Sequence, residues 1–196
     1  MNEKTELIFV IDQSGSMNSL AEDVVGGYNA LLEEQRKKGE VEVTTIFFSD
    51  KSTFVHESED IKNVKPLQSK DYNPCGCTAL LDAIGNGISY IKARHAKLKP
   101  EEIPGVTIFS IMTDGLENAS REFGYSDVKG MIEMGKKLGF EFIFQAANID
   151  TEREGRRLGI DPRRTFSFNA TKDGVRAQMN FCAMEVSRLA DAKRKK

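Results

Sequence analysis

No apolar stretch in this sequence approaches the roughly 18–20 residues a helix needs to cross a bilayer, which argues against a helical membrane protein. Cysteine is scarce. Three residues are too few, and odd in number, for a disulfide scaffold, so a reducing compartment is expected. Neither sign of charge dominates: Lys and Arg total 28, Asp and Glu 30, for a formal net charge of -2. Phosphate binding usually leaves a basic excess, so nucleic acid is not expected as the main ligand. The first residues, Met1-Asn2-Glu3-Lys4-Thr5-Glu6, lack the basic start and small-residue cleavage site of a signal peptide. A cytoplasmic location is therefore expected, with no membrane partner. Repeats, linkers and low-complexity segments are also missing. What is present is a globular balance, with 39% hydrophobic and 30% charged residues. The length of 196 residues suits a single domain over 1–196.

Short apolar runs alternate with longer periodic stretches. Leu7-Ile8-Phe9-Val10-Ile11 and Ile108-Phe109-Ser110-Ile111-Met112 are near-continuous apolar runs, the pattern of strands buried on both faces. Val41 to Phe48 reads as a strand, and Ser52 to His56 as a hairpin partner forming an antiparallel edge. Phe140 to Ala147 and Thr165 to Phe168 read as further strands. Helical spacing runs over residues 18 to 38, where Leu20, Val24, Tyr28 and Leu31 share a face, with Gly39 as C-cap. Further helices are expected from Thr78, over Ser126 to Leu138, over Glu152 to Leu158, and in a final stripe of Val175, Met179, Cys182, Val186 and Leu189. The Lys193-Arg194-Lys195-Lys196 tail reads as a solvated terminus. Strand–helix alternation of this kind implies an α/β fold: a Rossmann-like open sheet of about six strands, mostly parallel with one antiparallel edge strand, and helices on both faces. In such sheets ligands sit beyond the C-terminal strand ends, where strand order reverses. The loops after Ile11 and Met112 are the first places to look.

The first of these loops reads Asp12-Gln13-Ser14-Gly15-Ser16-Met17. Alternate side chains of an extended segment point the same way, so Asp12, Ser14 and Ser16 can converge. The second loop supplies Asp114, flanked by Thr113 and Gly115, and Thr78 ahead of a helix offers one more hydroxyl. Carboxylates with hydroxyls are hard oxygen ligands that suit magnesium or calcium and disfavour zinc. The same Asp-x-Ser-x-Ser pattern also serves as a helix N-cap with turn residues.

Ile11-Asp12-Gln13-Ser14-Gly15-Ser16-Met17, Cys77-Thr78-Ala79-Leu80 and Met112-Thr113-Asp114-Gly115 together resemble the three loops of a von Willebrand factor type A domain. Those loops form that family's metal-ion-dependent adhesion site. The resemblance covers about Thr5 to Ala190 in order and with suitable spacing, and implies one such domain. It implies that Ser14, Ser16 and Thr78 bind an ion through their hydroxyls, and that Asp12 and Asp114 bind directly or through water. The implied ion is Mg2+, with Ca2+ or Mn2+ as alternatives. The implied function is protein binding without catalysis, since in that family a carboxylate from a partner's Asp or Glu completes the coordination. The lone domain looks most like stand-alone bacterial intracellular members, some of which work beside AAA+ ATPases or stress-resistance proteins. Loop residues Asn18, Tyr72, Asn73, Glu117 and Asn118 are expected to rim the site for a partner.

Pro74-Cys75-Gly76-Cys77 departs from the family, where glycines or small residues are more usual. A disulfide between cysteines one residue apart closes a small, strained ring, so free thiols are expected. The stretch Gly130 to Lys137 nearly matches a phosphate-binding loop. It carries Lys137 where Ser or Thr holds magnesium, and it lies inside a helical pattern. A magnesium-dependent phosphohydrolase using Asp12 as nucleophile is the enzymatic alternative. Many such enzymes carry a second Asp two residues on as general acid; Ser14 stands there and cannot protonate a leaving group near neutral pH. Arg153, Arg156, Arg157, Arg163 and Arg164 form a local basic cluster, the composition of a solvated face or an acidic-segment contact.

Overall fold

The computed structural model describes residues 3–194, with side chains described through residue 192. The Lys193 to Lys196 tail, read above as a solvated terminus, lies outside the described side chains. The strands are β1 (Thr5–Asp12), β2 (Val41–Phe48), β3 (Ser52–Asp60), β4 (Val106–Thr113), β5 (Phe140–Ala146) and β6 (Thr165–Ser167). The helices are α1 (Ala21–Gln35), α2 (Leu80–His95), α3 (Tyr125–Lys137), α4 (Thr151–Arg157) and α5 (Lys172–Arg194). One six-stranded sheet has the order β3-β2-β1-β4-β5-β6. All neighbouring pairs are parallel except β2 and β3. The expected open α/β sheet with one antiparallel edge is the observed one.

The continuous apolar run of β1 explains its central place. Every residue from Thr5 to Asp12 is buried. Leu7, Phe9 and Ile11 face a core built with Val24, Tyr28 and Leu31 of α1 and Met179, Cys182 and Val186 of α5. Ile8 and Val10 face the other core, with Ile84 and Ile88 of α2 and Val128 and Ile132 of α3. Alternate residues thus feed opposite faces, as the pleat requires. Burying each such large side chain is worth about 1.5–3 kcal/mol. Helices α1 and α5 approach closely because Gly27 has no side chain; a Cβ there would lie 2.6 Å from Cγ of Met179.

Several boundaries differ from the sequence reading: α1 ends at Gln35, capped by Arg36 and short of Gly39, and three others differ for a local reason. The expected helix over 18 to 38 begins only at Ala21, after a 3-10 turn over Gly15–Leu20 that carries the loop chemistry. Helix α2 begins at Leu80 rather than Thr78. The Thr78 N–H donates to Asn118 Oδ1 (2.8 Å) and its C=O accepts from the Asn118 N–H (3.0 Å), so its peptide groups serve another segment. Strand β3 runs on past His56 to Asp60. Its extra residues are mostly acidic, as suits a sheet edge that must not pair further, and charge hid the strand pattern. Register shifts in its pairing with β2 flank Thr45.

His56 sits on β3 at 8% exposure, its Nδ1 3.4 Å from the Tyr28 hydroxyl, which is 2.6 Å from Oγ1 of Thr45. Burial pushes its imidazole below the ordinary 6.5, while Glu59 and Asp71 pull the other way. A folded-state value below the unfolded one means that the neutral ring stabilises the fold above pH 6.5. That stability is lost as pH falls from there toward the folded value. Thermal melts at about pH 7.5 and about pH 5.5 are expected to show a larger drop for wild type than for His56→Gln. Equal drops would mean that the ring gains its charge without cost.

Candidate metal centre

Asp12 ends β1 and Asp114 follows β4, and these strands are neighbours in the sheet. The chain leaves β1 toward β2 on one side, while β4 lies on the other. The loops after these two strands therefore splay apart at the point where strand order reverses, leaving the C-terminal sheet edge open between them.

Four of the five expected ligands form one continuous chain of hydrogen bonds. The Ser14 N–H donates to Asp12 Oδ1 (2.7 Å). The Ser14 and Ser16 hydroxyls lie 3.1 Å apart, and Ser16 Oγ donates to Asp114 Oδ1 (2.6 Å). The fifth, Thr78, is buried, with Oγ1 3.8 Å from where a Cβ on Gly115 would stand. Asp12, Ser14 and Asp114 are also buried, whereas Ser16 is exposed. The cluster therefore has one open side.

Several residues that the sequence did not single out hold these ligands in place. Thr113 Oγ1 donates to Asp12 Oδ2 (2.5 Å) and accepts from the Gly115 N–H (3.2 Å). Asn148 Nδ2 donates to the Asp114 carbonyl (3.3 Å). The Gly15 N–H donates to the Gly76 carbonyl (3.1 Å) and the Cys75 N–H to the Gln13 carbonyl (2.9 Å), so the Ser14 and Thr78 loops are pinned together. Thr113 was legible in principle, standing beside Asp114. Asn148 carried no signal, because its contact is made only by the fold.

The expected partner rim divides. Asn18 and Asn73 are exposed on the loops. Tyr72 is not on the rim: it is 2% exposed, packs edge-on to Phe47, and donates its hydroxyl to the Asp12 carbonyl. The Glu117 carboxylate is occupied, accepting from the backbone of Leu81, Ala119 and Ser120 and from the Ser120 hydroxyl. Asn118 is exposed but ties its loop to Thr78. Polar loop residues looked alike in sequence because backbone-capping and solvated side chains share one composition. The basic cluster is largely self-neutralised: Arg156 pairs with Glu152, Arg157 with Glu154, Arg163 with Asp161 and Arg164 with Glu185. The near-match to a phosphate loop lies within α3, away from any strand end.

Electrostatics separate this cluster from a simple turn. Burial pushes the Asp12 carboxyl above the usual carboxylate range; hydrogen bonds from Thr113 and Ser14 oppose this, and the Asp114 charge adds to it. Among the described residues, neither Asp12 nor Asp114 is ion-paired with a Lys or Arg, so two carboxylates sit in one hydrogen-bonded cluster. Among the described residues, no three His, Cys, Asp or Glu side chains form a metal-sized group, so any ion here must rely on hydroxyls. Two carboxylates and three hydroxyls fit a hard divalent cation.

No protein-family model and no curated protein matches the sequence. Solved structures do match in shape. The PilB minor pilin from Streptococcus sanguinis superposes with a TM-score of 0.64 at 13% identity, over 95% of this chain and 61% of that one. Proximal thread matrix protein 1 from the mussel byssus, described with a zinc-occupied MIDAS motif, gives 0.65 at 16% identity, over 93% and 46%. BatB from Bacteroides thetaiotaomicron gives 0.56 at 15% identity, over 95% and 99%. The chain thus spans 61% of the pilin, 46% of the byssus protein and nearly all of BatB. These likenesses show that the chain shares the fold of these three proteins.

Proposed function

We propose that this protein is a metal-ion-dependent binding module that engages an Asp or Glu carboxylate of a partner protein. The observation that carries this reading is the pair of carboxylates, Asp12 and Asp114, joined through Ser14 and Ser16, with neither ion-paired to a Lys or Arg among the described residues. A divalent ion resolves that repulsion. The ligand set lies open on the Ser16 side, where an outside carboxylate can complete the coordination. Zinc in the MIDAS motif of the byssus protein supports a divalent cation at such loops. Magnesium is our choice here because all five donors are oxygens, with Ca2+, Mn2+ and Zn2+ as comparators. We also propose a cytoplasmic setting and no catalysis. Among the described residues no helix is long and apolar enough to cross a membrane, and Cys75 and Cys77 are free and exposed.

The phosphohydrolase alternative is disfavoured by the residue two positions after Asp12. Ser14 stands there, its N–H on Asp12 Oδ1, and a serine hydroxyl cannot protonate a leaving group near neutral pH. The test pairs two assays. Tagged wild type and Asp114→Asn are used to capture proteins from native lysate in magnesium and in EDTA. A specific partner should be retained only by wild type with magnesium, and changing one Asp or Glu of that partner to its amide should abolish retention. In parallel, a generic aryl phosphate should show no magnesium-dependent turnover. Turnover lost in Asp12→Asn would overturn the binding-module reading.

A further inference from the structure

The ion-site loops carry two exposed thiols that the reading above does not use. We propose that Cys75 and Cys77 are a reversible redox modification site: a peroxide joins them in an intrachain disulfide that loosens the ion site. This rests on the ion-binding reading just given.

The placement of the three residues from 75 to 77 carries the argument. The Cys75 N–H donates to the Gln13 carbonyl, the Gly76 carbonyl accepts from the Gly15 N–H, and the Cys77 N–H donates to Asp50 Oδ1 (3.0 Å). Gly76 has φ +75°, and the Asp50 carboxylate fills the space that a Cβ would take. These peptide groups therefore fix the loop bearing Ser14 and Ser16 and lead directly into Thr78. Both thiols are free and exposed at this junction. Cys182 is the opposite case. It is buried, its thiol is pushed up to about 11 by burial, and it lies 3.1 Å from the Ser110 hydroxyl. Exposure gives Cys75 and Cys77 the access to an oxidant that a reactive thiol needs, while a buried structural thiol stays inert.

The chemistry balances with hydrogen peroxide as oxidant. One thiol sulfur attacks the peroxide, the O–O bond breaks, and a sulfenic acid and water result. The second thiol sulfur displaces the sulfenic hydroxyl, which leaves as a second water while the S–S bond forms. Two electrons pass from the sulfurs to peroxide, and a dithiol reductant returns both thiols. The ring so closed contains the Gly76 peptide groups. Closing it re-routes the backbone that holds Gln13 and Gly15. A disulfide in so small a ring is strained, which makes it the readily reduced, regulatory kind.

The test uses the full chain. Reduced protein is titrated with Mn2+, then oxidised with hydrogen peroxide, freed of oxidant and titrated again. Mass spectrometry of alkylated, unreduced peptides should show a Cys75–Cys77 intrachain disulfide. Affinity for Mn2+ should fall about 10–100-fold, the range seen when groups supporting metal ligands are lost, and should recover with a dithiol. Cys75→Ser and Cys77→Ser should each bind like the reduced wild type and ignore peroxide. Unchanged affinity after oxidation, an interchain or over-oxidised product, or a response that persists in the serine variants overturns the inference alone. A reduced wild type that binds no ion overturns the functional reading and this inference with it.

Discussion

Glu6→Ala is expected to lower the unfolding free energy by about 3–5 kcal/mol, the cost of breaking a buried ion pair from one side. Glu6 is 0% exposed on β1. Its Oε1 accepts from Arg94 (2.7 Å) and its Oε2 lies 2.7 Å from His95 Nε2 and accepts from Thr107 Oγ1 (3.0 Å). Arg94 also bonds Glu42, which pairs with Lys4 at 3.0 Å. Removing the carboxylate leaves Arg94 with one acidic partner, and strips His95 and Thr107 of their acceptor. For a chain of this size the melting temperature should fall by roughly 6–20 °C. This network lies near the start of β1, at the opposite end from Asp12, so the shift given by magnesium should be unchanged in the variant. A loss below about 1 kcal/mol would place these contacts with ordinary surface pairs.

Asp114→Asn is expected to change sign with the solvent. Without metal, the Asp12 and Asp114 charges repel, so removing one is neutral or stabilising. Asn keeps an Oδ1 to accept the Ser16 hydrogen bond. With an ion at about 100 times its dissociation constant, wild type gains roughly 2.7 kcal/mol, whereas a variant that binds tenfold more weakly gains roughly 1.4 kcal/mol or less. An Asp that only shapes a turn behaves otherwise, since its loss costs roughly 0.5–2 kcal/mol with or without metal. Thermal melts of both proteins in EDTA and in magnesium separate the two cases. Equal drops in both conditions would make Asp114 a loop residue.

The features legible in the sequence are those written in period and order. Leu7 to Ile11 announced a strand buried on both faces, and β1 is the sheet centre. Asp12, Ser14, Ser16 and Asp114 sit at strand ends, so topology alone brought them near one another, and the structure joins them through side-chain contacts. What sequence could not carry is the supporting contact made across the fold. The Tyr72 hydroxyl reaches the Asp12 carbonyl, and Glu117 caps the start of α2. A buried phenol and a capping carboxylate look, in a loop, like solvated residues. The acidic end of β3 was missed for a related reason: edge protection replaces the apolar alternation by which strands are recognised.

The most direct test of the account is an equilibrium titration of the reduced full chain with Mn2+, following the spin-resonance signal of the free ion. The account predicts one saturable ion per chain, displaced by Mg2+. It also predicts that binding is weakened about tenfold or more in Asp114→Asn, since one charged ligand is lost while the Ser16 contact is kept. A wild type that binds no ion, or a variant that binds as tightly as wild type, would contradict it.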